Sequence, residues 1–518
     1  MNRPESAASE WGGLRDVIAG ISVALVLIPQ AMAYAELAGL SSAHGLYAAA
    51  VAPVAAAFFA SSPYLQTGPT ALTALLTLGA LLPLAATGSA EYAGLAALLA
   101  LIVGVVRVLV GMFGGGWIAY LLSRPMLDGF MSGAVILIVA TQLPGAVGVV
   151  TPDLGLLPDL WWTVTNLGAW EPAALLLTGG TVALIVGGRR LHALFPGVLI
   201  ATTLGLMFSI LSGYGGPTVG AINAGIPAIA LDLPWRAVPG LLIAGMVIAF
   251  VGFAEATAIA RLYAGQDRMP WSPDREFLGQ GAANLAAGLV GGLPVGGSFG
   301  RSALSHMAGA RTRWSGAITG LAVLAALPFT SVLSALPRAV LSAIVIAAVV
   351  RLIRIPAMVR VWRLSRAQGF VTWMTFTLTL ALAPRIEFAV LFGVSAAVMV
   401  HLWRELRPSV KTWSEDGEVH LEPTGVLWFG SAQFLERALL EGLHEASDAR
   451  CLVIHLGGLG RIDLSGALVL RDILDRATDL KLEVEITDVP WHAQRILESV
   501  LDEETHTWKQ PTPSMPPV

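Results

Sequence analysis

Long apolar runs follow one another from about residue 14 to residue 403, and they constrain the fold more than any other feature of the chain. A helix rises about 1.5 Å per residue, so a run of about 18 or more residues can cross a hydrocarbon core of about 30 Å. Only 13% of the 518 residues are charged, whereas soluble proteins carry about 25%. The sequence therefore predicts a large membrane domain at 14–404, followed by a small soluble one.

Fourteen apolar segments are predicted to be membrane spans. The first seven cover about 14–34, 44–60, 68–86, 92–112, 126–143, 171–187 and 195–213. The second seven cover about 237–262, 276–293, 298–309, 315–335, 338–353, 368–384 and 386–403. Two sets of seven indicate two repeats, at about 14–213 and 237–404. Because seven is an odd number, repeats of seven spans must insert with opposite topology.

Three of these segments are interrupted. The first ends its apolar run at LIPQ (27–30), the third starts after TGPT (67–70), and the tenth starts after PVGG (294–297) and is short. Lipid cannot hydrogen-bond loose backbone groups, so irregular backbone at membrane depth is buried in protein or lines a wet cavity. Paired breaks in two halves of a membrane protein indicate a transport site.

The spacing of the breaks indicates an internal duplication. Glu255 lies 226 positions after Pro29, and Ser298 lies 229 positions after Pro69. Nearly equal offsets are expected when one repeat is copied from the other. The alternative is coincidence, because the chain has 56 glycines and 30 prolines and both residues are common in membrane helices.

The two short segments that follow the glycine-rich breaks form the candidate substrate site. A helix N-terminus carries a partial positive charge and free N–H groups, so it attracts anions. If these two N-termini face each other, the gap between them binds an anion. The candidate ligands at this gap are Thr70, Ala71, Ser298, Phe299, Gly300 and Arg301. An arginine inside a span is a functional candidate. The alternative for Arg301 is snorkelling to an interface, as expected for Arg351, Arg354 and Arg363.

Glu255 is the candidate for ion coupling. Uncharged residues extend back from it to Leu241, and burial disfavours the charged carboxylate, so this group could bind and release a proton. The alternative is a static ion pair with Arg261 or Arg301.

Gln30 and Tyr34 lie four residues apart and so share one helical face. Gln30 could donate its amide to an anion, and Tyr34 either contacts the substrate or only packs.

The soluble tail alternates strands and helices, which predicts a small α/β sheet domain at 413–507. Strands are predicted at 426–430, 451–458 and 481–487, and helices at 431–446, from near Ser465 and from near Trp491. Asp463 or Ser465 is predicted to cap the second helix, and Ser465 is a candidate regulatory site. The proline-rich end, 508–518, is predicted to be disordered.

Other features exclude several classes of protein. The polar segment 1–13 precedes an apolar run without a cleavage pattern, so we predict a cytoplasmic N-terminus and no signal peptide. Cys451 is the only cysteine, so a disulfide framework or a cysteine metal site is not expected. The sequence contains no nucleophile–base pair, Walker loop or metal-ligand cluster. We therefore expect no enzyme activity, no cofactor, no metal and no nucleic-acid partner.

Three stretches resemble a known family. DVIAGISVALVLIPQAMAYAELAGLSSAHGLYAA resembles the opening signature of SulP anion transporters, also called sulfate permeases or solute carrier family 26. FLGQGAANLAAGLVGGLPVGGSFGRSALSHMAGARTRWSG and LPRAVLSAIV are similar to the second half of that family. The tail, with its IDLSGA turn, resembles a STAS domain. The resemblance covers about residues 11–505.

This resemblance implies a fold class and a mechanism. It implies fourteen segments in two inverted seven-segment repeats, divided into core and gate, with a cytoplasmic α/β STAS domain. It also implies a substrate site between the third and tenth helices, an elevator-like movement and a homodimer. The family's site positions correspond to Gln30, Tyr34, Thr70, Ala71, Glu255, Ser298, Phe299, Gly300 and Arg301.

Two positions depart from the family pattern. Many relatives have serine at the position of Gly300, so one expected hydroxyl is missing here. Sodium-coupled bicarbonate relatives have Asp at the Glu255 position and Thr one turn later, where this chain has Ile259. An isoleucine side chain cannot ligate sodium, which favours proton over sodium coupling.

The sequence thus predicts proton-coupled uptake of a small anion, either a C4-dicarboxylate or sulfate, across a bacterial inner membrane, with both termini cytoplasmic. Bicarbonate or chloride transport or exchange and passive conduction are alternatives. A regulatory role based on the STAS domain, with a cytoplasmic partner, is a further alternative.

Overall fold

The computed structural model describes residues 13–120, 122–152, 155–192, 195–222, 224–230, 232–405, 409–446, 449–501 and 507–508. The predicted N-terminal segment 1–13 and the predicted tail 508–518 therefore lie almost wholly outside the described residues. The chain divides into two compact units, with the boundary in the sequence between Ser395 and Ala396. The first unit is a bundle of apolar helices and the second is an α/β domain.

The first repeat contains eight described helices. They are α1 (Leu14–Leu37), α2 (Ser42–Phe59), α3 (Ala71–Leu81), α4 (Ala90–Met112), α5 (Arg124–Ala146), α6 (Leu156–Thr165), α7 (Pro172–Leu191) and α8 (Gly197–Ser212). All except α6 correspond to predicted segments. With ten residues, α6 is too short to span a bilayer, and no helix was predicted there.

The second repeat also contains eight described helices. They are α9 (Val238–Asp267), α10 (Pro273–Leu289), α11 (Phe299–Met307), α12 (Trp314–Ala326), α13 (Arg338–Val349), α14 (Ile355–Leu364), α15 (Arg366–Ala381) and α16 (Ile386–Glu405). Again one short helix, α14, was not predicted, because its arginines interrupt the apolar run. The seven remaining helices correspond to the seven predicted segments of this half.

Nine helical stretches in the described part of the chain are long and apolar enough to cross a membrane. Of the three interrupted segments, the first forms a full-length helix, but α3 and α11 fall well short of the spanning length, with 11 and nine residues. The chain is therefore a multi-pass membrane protein with two half-length helices. The predicted third segment, 68–86, is shortened to α3 at both ends: its first residue belongs to a strand, and the chain turns after Leu81.

That strand is β1 (Thr67–Gly68), and it pairs with β2 (Gly296–Gly297) from the other repeat. The pairing is antiparallel, with Thr67 opposite Gly297 and Gly68 opposite Gly296. All four residues are buried. The strands are formed from the irregular backbone of the two breaks, so each break satisfies the backbone groups of the other.

The second unit is built on a mostly parallel sheet. Its strands are β3 (Ser409–Glu415), β4 (Glu418–Leu427), β5 (Cys451–His455), β6 (Leu459–Ile462), β7 (Glu483–Thr487) and β8 (Thr507–Trp508). The strand order is β3-β4-β5-β7-β8, and β6 pairs with β4. Three helices complete the unit: α17 (Ala432–Glu445), α18 (Leu464–Asp479) and α19 (Trp491–Glu498). Sheet and helix residues such as Leu452, Ile454, Leu470 and Leu474 form its buried core.

The predicted alternation of strands and helices is correct, but the prediction missed β3, β6 and β8 and misplaced one strand. The strand expected at 426–430 is the end of β4, which starts at Glu418 and forms a hairpin with β3. Asp416 and Gly417 make the hairpin turn with φ of 50° and 82°. An Asp-Gly pair at positive φ is the signature of a type I′ hairpin, so the sequence contained a signal that the prediction overlooked.

Candidate anion-binding site

The paired strands β1 and β2 bring the two breaks into contact. A Cβ atom added to Gly297 would lie 3.1 Å from Cα of Ala256 on α9 and 2.8 Å from Cδ1 of Leu65. A side chain at this position would therefore force the strand away from α9, and only glycine allows so close an approach. This contact places α9 directly beside the two breaks.

The helices α3 and α11 begin immediately after these strands, and each begins with a hydroxyl cap. Thr70 and Thr73 form a reciprocal capping box at the start of α3. Ser298 accepts a weak hydrogen bond of 3.5 Å from the backbone N–H of Arg301 at the start of α11. Since the strands are antiparallel and paired, the two helix N-termini lie close together, as predicted. Their partial positive charges therefore act on one region of the protein.

Arg301 is buried in this region, with 1% of its surface exposed. Its Nη1 atom donates a hydrogen bond of 3.4 Å to Oε1 of Gln30. The Nε and Nη2 atoms are buried and have no hydrogen-bond partner among the described residues. Nη2 lies 3.4 Å from the position of a Cβ atom added to Gly68, so the guanidinium reaches β1. Arg301 is not snorkelling: it has two donors available for an anion next to both helix N-termini.

Glu255 on α9 is close enough to interact electrostatically with Arg301. No arginine, lysine or histidine nitrogen of the described residues lies within 4.0 Å of its carboxylate. Arg261 instead lies over the ring of Tyr120, at 4.9 Å from the centroid. The static ion pair with Arg261 is therefore absent from this structure. The carboxylate interacts with Arg301 without direct contact.

Gln30 and Tyr34 are both buried on α1. Tyr34 interacts electrostatically with Arg301 and with Glu255, which brings α1, α9 and α11 together at one place. The remaining candidates lie around them: Thr70 and Ala71 are buried, Ser298 and Phe299 are partly exposed, and Gly300 is exposed. No atom lies within 4 Å of a Cβ added to Gly300. The pairing of β1 with β2 therefore brings the starts of α3 and α11 together, and Tyr34 and Glu255 lie within electrostatic range of Arg301.

Arg107 on α4, which was not predicted as a site residue, is fully buried. Its guanidinium donates to the carbonyl oxygens of Ala249 (3.0 Å), Ile248 (3.1 Å) and Val295 (2.9 Å). The first two carbonyls belong to α9, and the third lies just before β2. Gly252 makes room for this side chain, because an added Cβ would lie 2.8 Å from Nη2 of Arg107. Arg107 therefore links α9, which carries Glu255, to the segment before β2, which leads into α11 and Arg301.

Two amides support the breaks in a similar way. Asn284 on α10 accepts from the N–H of Val295 at 2.9 Å and donates to its carbonyl at 3.1 Å. Gln280, one helical turn earlier, donates to Oγ1 of Thr67 at 2.6 Å. These bonds satisfy backbone and hydroxyl groups that would otherwise be unpaired at membrane depth. Both Asn284 and Gln280 lie inside a predicted span, and their polarity there is the sequence signal that could have identified them.

Gln66 joins the loop before β1 to α11 and α12. Its backbone N–H donates to Oγ of Ser302 at 2.9 Å, and its side-chain Nε2 donates to Oγ of Ser305 at 3.0 Å. Its Oε1 atom accepts from Thr319 at 3.2 Å. Each of these partners is buried. A single glutamine from the first repeat therefore holds the half-length helix of the second repeat in place.

In the α/β unit, Asp463 rather than Ser465 caps α18. Oδ1 of Asp463 accepts from the backbone N–H of Gly466 at 2.7 Å and from the hydroxyl of Ser465 at 2.7 Å. Ser465 is partly exposed in the first turn of the helix. Across the described parts of both units, no group of three or more His, Cys, Asp or Glu side chains could hold a metal ion.

The fold and the meeting of the two breaks define a class of protein: a polytopic membrane protein of two inverted seven-segment repeats with an appended α/β domain. The sulfate permease family model matches residues 14–375, and the STAS domain model matches residues 410–503. The chain therefore belongs to the sulfate permease family and carries a STAS domain. The fold class predicted from the resemblance is confirmed.

Named relatives agree with this assignment. A protein of Mycobacterium tuberculosis named as a probable sulfate transporter is 36% identical over 304 residues, which cover 58% of this chain and 54% of that protein. The match thus spans about half the length of that relative. The chloroplastic sulfate transporter 4.1 of Arabidopsis thaliana is 29% identical over 515 residues, covering 90% of this chain and 74% of the plant protein.

Two solved structures are similar in fold. The murine solute carrier 26 family member A9 anion transporter, in its inward-facing state, has a TM-score of 0.86 at 18% identity, covering 95% of this chain and 88% of that one. The transmembrane domain of the cyanobacterial bicarbonate transporter BicA has a TM-score of 0.64 at 26% identity, covering 75% and 98%.

Proposed function

We propose that this protein is a secondary transporter that carries a small anion across the membrane. The observation that carries the proposal is Arg301, whose buried guanidinium has two unpartnered nitrogens beside two helix N-termini. A buried cation without a direct carboxylate partner is costly, and a bound anion would offset that cost. The names of the relatives support an anion as cargo, because they are sulfate transporters.

The proposed substrate is sulfate or a C4-dicarboxylate. Each has oxygens that could accept from the Arg301 fork and, at the same time, from the backbone N–H groups at the starts of α3 and α11. Gln30 and Tyr34 would complete the site from α1. A competition screen tests this: sulfate, succinate, bicarbonate and chloride would each be added in excess to proteoliposomes taking up labelled sulfate. If labelled sulfate does not enter, and labelled succinate measured in the same way does not enter either, the proposed cargo is wrong.

The proposed coupling ion is the proton, bound at Glu255. Its carboxylate lies within electrostatic range of Arg301 but not in direct contact with a cation, so protonation would change the charge felt by the anion. Ile259, one turn later, is buried and apolar and offers no side-chain ligand to sodium. Proton binding and anion binding would then favour each other.

Uptake under an imposed pH gradient tests this coupling. In the wild type, an inward proton gradient is expected to accelerate anion uptake several-fold. In Glu255→Gln the acceleration is expected to vanish while exchange of anion for anion continues. Glu91→Gln, which changes an exposed carboxylate at the start of α4, is the matched control. Uptake that ignores the gradient in the wild type would exclude proton coupling.

Bicarbonate transport is a second candidate, because the BicA transmembrane domain matches most of the membrane unit. The screen above distinguishes the two: bicarbonate would compete better than sulfate. Passive conduction is excluded if uptake saturates with anion concentration and planar bilayers show no single-channel current.

We further propose an elevator-like movement, a homodimer in a bacterial inner membrane, and a cytoplasmic STAS domain that could be regulated at Ser465 through a partner. For the protein purified in detergent, the mass that remains after the bound detergent is subtracted is expected to be twice the chain mass of 54.1 kDa. A monomer mass would contradict the dimer. Protease access to the STAS domain in inside-out vesicles only would support a cytoplasmic C-terminus.

A further inference from the structure

Arginines are concentrated at one end of the membrane unit. Five of them occur between residues 351 and 366, and no Asp or Glu occurs between Glu276 and Glu387. The first lysine of the chain is Lys411, so every basic side chain of the membrane unit other than histidine is an arginine. Guanidinium groups bind phosphate through two parallel hydrogen bonds, which an ammonium group cannot do.

The fold brings like charges together at this end. Arg189, in the last turn of α7, interacts electrostatically with Arg351, which follows α13. These residues are 162 positions apart in the sequence, so their proximity results from helix packing. Repulsion between them raises the free energy of the fold unless an anion lies nearby.

Few carboxylates neutralise these charges. Arg354 pairs with Asp128 at 3.2 Å, and Arg366 lies over the ring of Trp362 at 5.2 Å. Arg351, Arg360 and Arg363 are exposed, and none has a carboxylate within 4.0 Å among the described residues. Arg189, its neighbour Arg351, and the two exposed arginines of α14, the helix that follows Arg351 in the chain, are together called the arginine patch below.

Exposed apolar side chains lie next to the arginine patch in the sequence. α14 connects α13 to α15, two helices of the bundle, and carries both Arg360 and Arg363. On the same helix Trp362 and Leu364 are exposed, Leu364 to 81%. A short helix that combines arginines with exposed apolar residues at the end of membrane helices is typical of the boundary between headgroups and hydrocarbon. A soluble anion would leave these apolar side chains uncovered.

We infer that the arginine patch binds the phosphate of an anionic phospholipid, with Trp362 and Leu364 in contact with its acyl region. Arginines are enriched on the cytoplasmic side of membrane proteins, and this enrichment explains why the arginines lie at one end of the bundle. It does not account for the convergence of α7 and the segment after α13 with so few carboxylates. An anionic lipid supplies the missing negative charge and covers the apolar residues.

The test measures thermal unfolding of the purified full chain in detergent, with phosphatidylglycerol or phosphatidylcholine added. Phosphatidylglycerol is expected to raise the melting temperature of the wild type more than phosphatidylcholine does, because a ligand of the folded state stabilises it. The triple variant Arg351→Gln/Arg360→Gln/Arg363→Gln is expected to lose most of this difference. The matched control, Arg236→Gln/Arg450→Gln/Arg461→Gln, removes the same charge from exposed arginines elsewhere and should keep it.

Three results would overturn the inference. First, the triple variant could keep the full phosphatidylglycerol effect. Second, inorganic phosphate could stabilise the wild type as well as the lipid does, and this result would indicate that the ligand is a free anion. The triple variant could instead change the oligomeric mass while the lipid effect stays intact, which would indicate a protein surface as the partner. If the triple variant does not fold, the single variants Arg360→Gln and Arg363→Gln are compared with Arg236→Gln by native mass spectrometry. Fewer phosphatidylglycerol adducts than in Arg236→Gln would support the inference. Equal numbers of adducts would contradict it.

Discussion

Arg301 donates a hydrogen bond of 3.4 Å to Gln30, so the half-length helix of the second repeat is joined to the first helix of the first repeat. Only one nitrogen of the guanidinium is used in this contact, and Nε and Nη2 have no partner in the described chain. The side chain is therefore held in position by a neutral group while most of its charge stays available. An anion bound there would be contacted from both repeats.

Replacing Arg301 should weaken anion binding. A hydrogen bond to a charged group contributes about 1.5–3 kcal/mol, so Arg301→Gln is expected to raise the KM of uptake about 10- to 100-fold. Arg301→Lys keeps the charge but loses the planar fork, so an intermediate KM is expected. The measurement is the initial rate of labelled anion uptake by proteoliposomes. Arg236→Gln, at an exposed position, is the control, and an unchanged KM in Arg301→Gln would contradict the proposed site.

Substitution by serine should affect thermal stability differently at Gly300 and at Gly297. The space around Gly300 is open, so Gly300→Ser is expected to leave the melting temperature unchanged or slightly higher, since glycine inside a helix costs about 0.5–1 kcal/mol. Gly297→Ser would overlap Ala256 and Leu65, and overpacking of this kind costs about 1–3 kcal/mol. Thermal unfolding in detergent compares the two. Equal destabilisation would show that the close contact of β2 with α9 does not limit stability.

The same Gly300→Ser variant should also change anion preference. Its added hydroxyl would lie in the first turn of α11, beside the proposed anion. Competition profiles of the variant and the wild type, measured at equal protein density, are the test. Identical profiles for sulfate, succinate, bicarbonate and chloride would place Gly300 outside the substrate path.

Arg107 should be needed to hold α9 and β2 in a fixed position relative to each other. Arg107→Lys keeps the charge but cannot reach three carbonyls in a fixed fork, and each lost hydrogen bond to a charged group costs about 1.5–3 kcal/mol. We expect a clearly lower melting temperature and a lower maximal uptake rate. Arg236→Lys is the control for the exchange of residue type. If Arg107→Lys melted and transported like the wild type, the three bonds would be dispensable.

The N-terminus of α18 provides a test within the STAS domain. Asp463→Ala removes the cap, which typically costs about 1 kcal/mol. Ser465→Ala removes only a hydroxyl that donates to Asp463 and should cost much less. Hydrogen exchange of the amides in 464–470, measured in the full chain, is expected to accelerate about five-fold in Asp463→Ala. Similar acceleration in both variants would mean that the two side chains share the capping role.

Much of the membrane unit could be predicted because lipid permits few structures. Long apolar runs have to be helices, and the breaks at TGPT (67–70) and PVGG (294–297) had to be buried or wet. From those constraints the meeting of α3 and α11 followed, and with it the placement of Arg301. Glu255 was found because a carboxylate in an apolar run is rare.

The supporting residues could not be predicted in the same way. Arg107 lies near the end of an apolar run, where an arginine usually reaches the interface; its partners are carbonyls at least 141 positions away. Gln66 lies in a loop, and its hydroxyl partners are more than 230 positions away. No local pattern identifies such partners. In the STAS domain the turn at Asp416 and Gly417 was a local signal, and it was overlooked because the strands beside it are largely polar.

The pairing of Thr67 with Gly297 has a consequence for how the protein is made. At roughly 5–20 residues per second, the ribosome needs about 10–45 seconds to add the residues that separate these two positions. During that interval β1 has no partner, although its N–H and C=O groups already belong to a segment destined for the bilayer. We therefore expect the first repeat to remain next to the insertion machinery or to water until the second repeat emerges, so that a truncated first repeat would be degraded rather than integrated.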